Sequence, residues 1–355
     1  MSFPLVDARR AALAAAQSLP ATIKTIDRLS KIHGADAAAW AVGQITLRER
    51  ARAKFSHPER MVFTKDGLEM TSHEKVSQFH ASLFHETDDV IDGTCGIGGD
   101  LLFLARGGRA MGCDLSVEAL TCAQWNLEQE GLAAVLSQGS CMNIDWTGRS
   151  LWLDPARRGE AGRTLNPDSF SPSLADVLKK AETADHVWIK LTPMLSDSIL
   201  ESAGKGLIFV SHRGECVEGL VQAGRIPEAS FRRAFRVDEG IWLDAAASPT
   251  HAADPGQFVY EADPAAIRGH CLGSFGLELL GDTPGWLTGN VAEPTPWLTP
   301  FRVVWSGAWR ESVVQGVIRE EGARLESVKT RGVKIEPAQQ LRRLRRGITQ
   351  KEGPK

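Results

Sequence analysis

Short apolar stretches alternate with helical patterns over the middle of the chain. The stretches are rich in Val, Ile, Leu and Trp, and the segments between them place apolar residues at helical spacing. We predict strands at residues 90–92, 109–114, 133–136, 150–153, 186–191 and 207–212. Strands that alternate with helices predict an α/β fold with an open, doubly wound sheet.

The region before the first predicted strand has helical patterns instead. Residues 11–17 are rich in alanine, and Asp36 can cap a long helix over residues 37–52. Residues 63–72 form a connector, in which Lys65-Asp66-Gly67 predicts a turn. Thr71, three residues before Glu74, predicts a capping box for a helix over residues 73–84.

The C-terminal part begins after a plausible linker at residues 245–249 and has a mixed α/β pattern. The predicted elements are a helix from Pro264 capped by Asp263, a strand at 301–305, a helix at 311–321, a strand at 325–329 and a final helix at 337–346. We therefore divide the chain into a helical N-terminal region (1–62), a core (63–245) and a C-terminal domain (250–355).

Composition fits a globular protein of more than one domain. The chain has 355 residues, a net charge of −3 and 43% hydrophobic residues. No apolar run approaches the roughly 18 residues that span a bilayer, and nothing at the N-terminus directs export, so we expect a cytoplasmic protein without membrane contact. Six scattered cysteines without a C-x-x-C pair predict free thiols and no metal site.

Charge is spread unevenly along the chain. Residues 319–355 carry eleven Lys or Arg against five acids, a balance of +6, which leaves −9 for the rest. A basic end on an acidic body indicates a polyanionic partner, although a solvated helix face gives the same pattern.

The strongest motif is a glycine-rich turn after the first predicted strand. That strand ends in Asp92, and four glycines follow within seven residues, at positions 93, 96, 98 and 99, before an apolar helical run. Such a turn suits a nucleotide-like ligand, because the backbone can approach the ligand closely and the helix presents free N–H groups. The third glycine of the dinucleotide fingerprint is replaced by Leu101. Asp114 ends the second strand, 22 residues after Asp92, where an acceptor for ribose hydroxyls is expected.

This turn resembles motif I of class I S-adenosylmethionine-dependent methyltransferases. The resemblance implies that S-adenosylmethionine is the cofactor and that the loop after the third strand faces its adenine, although a simple turn would also explain that loop. The implied cofactor-binding residues are Asp92, Gly93, Thr94, Cys95, Gly96, Gly98, Asp114, Leu115, Cys141, Met142 and Asn143.

The fourth strand ends at a second candidate site, Asp154-Pro155-Ala156-Arg157-Arg158. Asp154 lies at the ligand crevice of an open sheet, where it can accept a hydrogen bond or a proton from the group that reacts. Pro155 denies the sheet a hydrogen bond, and Arg157 or Arg158 can hold a phosphate. A polar junction between strand and loop is the alternative. Lys190 is either a surface lysine or part of this site.

Several segments together resemble the bacterial class I methyltransferases that end in a THUMP-like domain and are related to trimethylguanosine synthase. The segments are 64–72, 92–100, 154–158, 190–193 and 260–268. The resemblance implies a helical N-terminal part, a Rossmann-like core over which residues 63–72 could close, and a smaller α+β domain associated with RNA. Two features depart from related enzymes. Ala156 and Arg157 replace a Pro-aromatic pair that stacks the base, and Leu191-Thr192-Pro193 lacks the cysteine that uracil-C5 chemistry needs.

The leading hypothesis is therefore a methyltransferase that acts on a base in RNA. Two alternatives remain open. One is an RNA-binding protein with a vestigial methyltransferase core, and the other is a methyltransferase for a small molecule.

Overall fold

The computed structural model describes residues 2–85, 88–156, 158–159, 162–163, 165–225, 229–282, 284–292 and 294–346. The chain forms two compact units, Met1–Trp242 and Leu243–Lys355. None of the helices in the described ranges combines the length and hydropathy that a bilayer crossing requires.

The first unit begins with helices. They are α1 (Asp7–Ala16), α2 (Ile23–His33), α3 (Ala35–Ala51), α4 (Lys65–Met70) and α5 (Glu74–Ala81), with a 3-10 turn at Pro58–Arg60. Three details of the sequence prediction were wrong. Gly34 rather than Asp36 precedes α3, His73 rather than Thr71 caps α5, and the predicted turn at Lys65 is the start of α4. In each case a neighbouring residue takes the cap position, which the spacing of polar residues alone does not determine.

Strands and helices then alternate as predicted. The elements are β1 (Val90–Asp92), α6 (Leu101–Gly107), β2 (Ala110–Asp114), α7 (Val117–Gln129), β3 (Val135–Gln138), β4 (Ser150–Leu153), β5 (Arg158–Gly159), β6 (Gly162–Arg163), α8 (Leu174–Ala181), β7 (His186–Leu191), α9 (Asp197–Ala203), β8 (Gly206–His212), β9 (Glu215–Ala223), β10 (Phe231–Arg236) and β11 (Ile241–Asp244). All six strands predicted for the core are present, with β3 two residues later than expected, and the α/β prediction is confirmed.

Nine of these strands form one sheet in the order β11-β10-β8-β9-β7-β4-β1-β2-β3. Strands β3, β2, β1, β4 and β7 are mutually parallel, and β9 runs antiparallel to β7 and β8. The chain order reverses between β1 and β4, so the sheet opens a crevice at the carboxyl ends of these strands.

One hydrophobic core joins the helices of this unit to the sheet. It contains Leu101 of α6, Leu120 of α7 and Trp152 of β4, and also Ala38 and Val42 of α3. Because α3 shares this core, the N-terminal helices are positioned firmly against the sheet that carries the crevice.

The second unit is a smaller α+β assembly. Its elements are β12 (His251–Ala252), β13 (Phe258–Ala262), α10 (Pro264–Arg268), β14 (Glu278–Leu280), β15 (Trp286–Gly289), β16 (Leu298–Arg302), α11 (Glu311–Glu320) and α12 (Pro337–Arg346). The sheet order is β12-β14-β15-β13-β16, and Asp263 caps α10 as predicted.

Two strand predictions for this unit need correction. The strand expected at residues 301–305 is β16, which begins at Leu298, and residues 325–329 form no strand. Arg345 of α12 donates hydrogen bonds to the carbonyl oxygens of Leu325 and Glu326, so a side chain takes the backbone acceptors that a sheet would have used.

Candidate active site

A cavity of about 790 Å³ opens at the carboxyl ends of β1, β2 and β4. Eight of the residues predicted from the sequence line it, namely Gly93, Thr94, Cys95, Gly96, Asp114, Leu115, Cys141 and Asp154. Helix α3 contributes Trp40 and Gln44 to the wall, and α4 contributes Lys65, Gly67 and Met70. The wall of the cavity is therefore formed both by the carboxyl ends of the strands and by the N-terminal helices α3 and α4.

The glycine turn between β1 and α6 forms one wall of this cavity. Gly96 has φ +53°, and its N–H donates to Asp114 Oδ2 at 2.9 Å. Asp114 Oδ1 also accepts the Ser116 N–H at 2.8 Å. A Cβ built on Gly96 would meet no atom within 4 Å, so the space beside this turn is open to a ligand. Gly98, with φ +87°, packs on Ala123 and supports the turn from behind.

Asp92 lies beneath the turn rather than on the cavity. Its side chain is buried and accepts the Thr94 N–H at 3.2 Å. Burial, followed by the nearby charge of Asp100, raises the pKa of Asp92 well above its ordinary value. Asp92 therefore contacts the backbone of the turn from below and does not line the cavity.

The loop after β3 brings one of its three predicted residues to the cavity. Cys141 is buried, and its carbonyl oxygen accepts the indole N–H of Trp146 at 3.0 Å. Burial raises the pKa of the Cys141 thiol to about 11, so it forms a small neutral part of the wall. Met142 and Asn143 do not line the cavity; the Met142 carbonyl binds Lys180, and Asn143 is exposed.

Asp154 ends β4 on the same cavity. Its backbone N–H donates to Thr94 Oγ1 at 2.8 Å, which ties β4 to the glycine turn. Its Oδ2 accepts a hydrogen bond from Lys190 Nζ at 2.8 Å, and about a third of the side chain is exposed. Pro155 is buried and does not line the cavity, and Arg157 lies outside the described residues.

Behind Asp154 lies a chain of buried charges that the sequence analysis missed in part. Lys190 approaches Glu218 at 3.9 Å, and Glu218 also contacts His80 Nε2 at 2.5 Å. The other nitrogen of His80 contacts Asp100 Oδ1 at 2.8 Å, and Asp100 lines the cavity. The sequence signal was a charged residue, Glu218, within the apolar run of β9.

The electrostatics of the cavity favour a cationic ligand. In the described part of the chain the wall carries one ammonium, that of Lys65, and five carboxylates, those of Asp66, Asp100, Asp114, Glu118 and Asp154. An excess of carboxylates in the wall attracts a positive charge, although Asp154 and Asp100 already pair with Lys190 and His80 behind it. The same part of the chain contains no cluster of His, Cys, Asp and Glu that could hold a metal ion.

The strand order and the cavity together define the class of fold. The antiparallel strand β9 lies between β7 and β8, which are parallel to each other, and the fold is of the class I S-adenosylmethionine-dependent methyltransferase type. The structure is similar to that of a presumed methyltransferase from Porphyromonas gingivalis W83, with a TM-score of 0.76 and 19% identity over 95% of this chain and 90% of that one.

Sequence comparison agrees with the enzyme class and the cofactor predicted. The chain is similar in sequence to two proteins of Mycobacterium tuberculosis, one from strain CDC 1551 and one from strain H37Rv, which are both described as uncharacterized S-adenosylmethionine-dependent methyltransferases. Each is 27% identical to this chain over 325 residues, which cover 87% of this chain and 90% of the relative. No protein-family model matches the chain.

Proposed function

We propose that this protein is an S-adenosylmethionine-dependent methyltransferase that methylates a base in RNA. The observation that carries the proposal is one cavity with a glycine turn and Asp114 in its wall, together with a carboxylate, Asp154, at the end of the next strand. Cofactor and acceptor sites of open α/β sheets share such a crevice.

The residues of the cavity fit the cofactor. Asp114 would accept hydrogen bonds from the ribose hydroxyls, and Leu115 and Cys141 would contact the adenine. Gly93 to Gly96 would lie along the amino-acid part, where the carboxylates of the wall offset positive charge. Bound S-adenosylmethionine supplies a methyl group on a sulfonium, which an electron pair of the acceptor can attack.

Asp154 is the proposed contact with the acceptor. None of the described residues donates a hydrogen bond to its Oδ1, while Lys190 holds Oδ2. Asp154 would accept a hydrogen bond from an N–H or O–H of the acceptor, orient its lone pair, and receive the proton released when the new bond to carbon forms. Phosphate binding by Arg157 stays a prediction.

The RNA part of the proposal rests on the charge of the C-terminal unit. Helix α12 exposes Arg342, Arg343 and Arg346, whereas Arg345 binds the backbone carbonyls of Leu325 and Glu326. Three exposed guanidinium groups on one helix attract phosphates without reading sequence.

The test is transfer of labelled methyl from S-adenosylmethionine to total RNA from cells that lack this protein, followed by nucleoside analysis. We expect one labelled nucleoside with the wild-type protein. Asp154→Asn should reduce transfer by about two to four orders of magnitude and keep cofactor affinity, because it loses only the charge. Asp114→Ala should weaken cofactor binding by about 1–3 kcal/mol.

Other outcomes would contradict the proposal. Cofactor binding without transfer to any RNA or small molecule would favour an RNA-binding protein with a vestigial core, the alternative suggested by Arg157 at the position where related enzymes have an aromatic residue. Transfer only to a small-molecule fraction of the lysate would overturn the RNA substrate.

A further inference from the structure

Lys190 occupies an unusual position for a lysine. It lies near the end of β7 with 16% of its side chain exposed, and its ammonium donates to Asp154 Oδ2 at 2.8 Å and to Ser72 Oγ at 3.0 Å. Glu218 Oε2 lies 3.9 Å away on the neighbouring strand β9. Three elements therefore converge on one ammonium group.

The support for Lys190 continues away from the cavity. Glu218, with 3% of its side chain exposed, lies between Lys190 and His80, and His80 is completely buried. Asp100, at the start of α6, contacts the other side of His80 and is the last residue in this row of charged side chains. Negative and positive side chains alternate along this row, which runs from Asp154 through Lys190, Glu218 and His80 to Asp100. Its two end residues, Asp154 and Asp100, line the same cavity.

We propose that Lys190 is a positioning residue for methyl transfer, which holds one oxygen of Asp154 so that the other meets the acceptor, with Glu218 and His80 fixing Lys190 in turn. This inference rests on the proposed function.

Lys190 can fix the orientation of the Asp154 side chain because its own ammonium is held in place and stays charged. An aspartate side chain at the end of a strand can rotate, and a single bond to a fixed ammonium restricts that rotation to one arrangement. The ammonium can be fixed because Glu218 is held on a central strand and shares its charge with His80. Burial lowers the pKa of Lys190, but Asp154, Glu218 and Asp100 outweigh it, so the ammonium stays charged.

The experiment compares Lys190→Met and Lys190→Arg with the wild type in the methyl-transfer assay. We expect Lys190→Met to lower kcat by about two orders of magnitude while cofactor affinity and the KM for RNA change less than about threefold. Lys190→Arg should recover at least about tenfold.

A matched control separates positioning from stability. Arg232→Met removes another cation with 10% exposure from the same sheet, one that pairs with Asp197 and Glu201 away from the cavity. It should lower thermal stability and leave kcat unchanged. If Lys190→Met does not fold, Ser72→Ala removes one neutral contact to the ammonium, and we expect a kcat about three- to tenfold lower.

The inference is overturned if Lys190→Met, or Ser72→Ala in its place, keeps the wild-type kcat. It is also overturned if cofactor affinity falls in parallel with kcat, or if Lys190→Arg recovers no more activity than Lys190→Met. A wild-type protein that transfers no methyl group at all would instead contradict the proposed function, and the two failures are therefore distinct.

Discussion

His80 is a histidine that the fold removes from water completely. Its ring stacks on Trp152 with a centroid distance of 4.0 Å, and its nitrogens contact Asp100 and Glu218. Burial alone would lower its pKa, but Glu218 and then Asp100 outweigh burial and raise the pKa of His80 to about 9. At neutral pH the buried ring is therefore an imidazolium.

This histidine should make folding stability depend on pH. A pKa raised above the ordinary value of about 6.5 stabilises the folded chain fully below that pH, and the stabilisation is lost as pH rises towards about 9. We expect the unfolding free energy of the wild type to fall by about 3 kcal/mol over this window relative to His80→Gln. Urea unfolding at several pH values measures the difference.

Because the two proteins differ only at residue 80, subtracting the two curves gives the pH dependence of His80 together with its partners Asp100 and Glu218. A constant difference between wild type and His80→Gln across the window would mean that the ring is neutral in the folded state.

For single residues, the sequence predicted which side chains lie near the glycine turn better than it predicted which of them line the cavity. Asp92 and Asp114 both end strands beside the glycine turn, and both were predicted to contact the cofactor. In the structure Asp114 lines the cavity, while Asp92 lies beneath the turn. The two positions differ because of the path of the turn, in which the Gly96 N–H donates its hydrogen bond to Asp114. His80 could not be predicted, since its partners are 20 and 138 residues away.

Helix α4 is a short element held at both ends by side chains. Thr64 Oγ1 accepts the Gly67 N–H at 2.9 Å at its start. Lys54 Nζ donates to the carbonyl oxygens of Leu68 at 2.9 Å, Glu69 at 3.0 Å and Thr71 at 2.6 Å at its end. A helix of six residues is unstable by itself, so these contacts decide its position on the cavity.

Gly67 allows α4 to pack closely on the glycine turn. A Cβ at this position would lie 2.4 Å from Ile97 Cγ2 and 2.6 Å from Thr64 Oγ1. We expect Gly67→Ala to cost about 1–3 kcal/mol of stability and to weaken cofactor binding about tenfold, because α4 must move from the cavity wall. Calorimetry with S-adenosylhomocysteine and thermal unfolding measure the two effects.

The matched control is Gly316→Ala in α11, where a Cβ would meet no atom within 4 Å. It should raise stability by about 0.5–1 kcal/mol, as expected for alanine in an open helix position, and leave cofactor affinity unchanged. Equal effects of the two substitutions would disprove the close-packing argument.

Elements of the core were predictable because strand and helix patterns are local. Their ends and the segment at residues 325–329 were not. The run from Leu325 to Lys329 was predicted as a strand, yet carbonyl oxygens at its start accept hydrogen bonds from Arg345, in a helix that begins twelve residues after Leu325. Long-range hydrogen bonds override local pattern in such places.

At the scale of the whole molecule, charge distinguishes the basic end from the remaining chain. Residues 319–355 carry +6, and the exposed face of α12 holds Arg342, Arg343 and Arg346. We expect the triple change of these residues to Ala to weaken RNA binding and to reduce the slope of log K against log salt by about two units, the value for three phosphates of single-stranded RNA. Titration at several salt concentrations measures the slope.

The control for this variant removes the same amount of charge elsewhere. Arg52, Arg109 and Arg225 are exposed and paired with carboxylates in the first unit. Changing these three to Ala should leave the slope within about half a unit of the wild type. The same loss of slope in both triple variants would show that net charge, and not α12, governs binding.

Strand β9 lies between β7 and β8 in space but follows both in the chain. While the protein is being synthesised, the facing edges of β7 and β8 stay unpaired until residues 215–223 have left the ribosome. Glu218 arrives with the same strand, so Lys190 and His80 lack their shared carboxylate until that moment. A nascent chain that stops before residue 215 would possess the glycine turn without the anchor of Lys190. The strand that joins β7 to β8 therefore also supplies the carboxylate that supports Lys190.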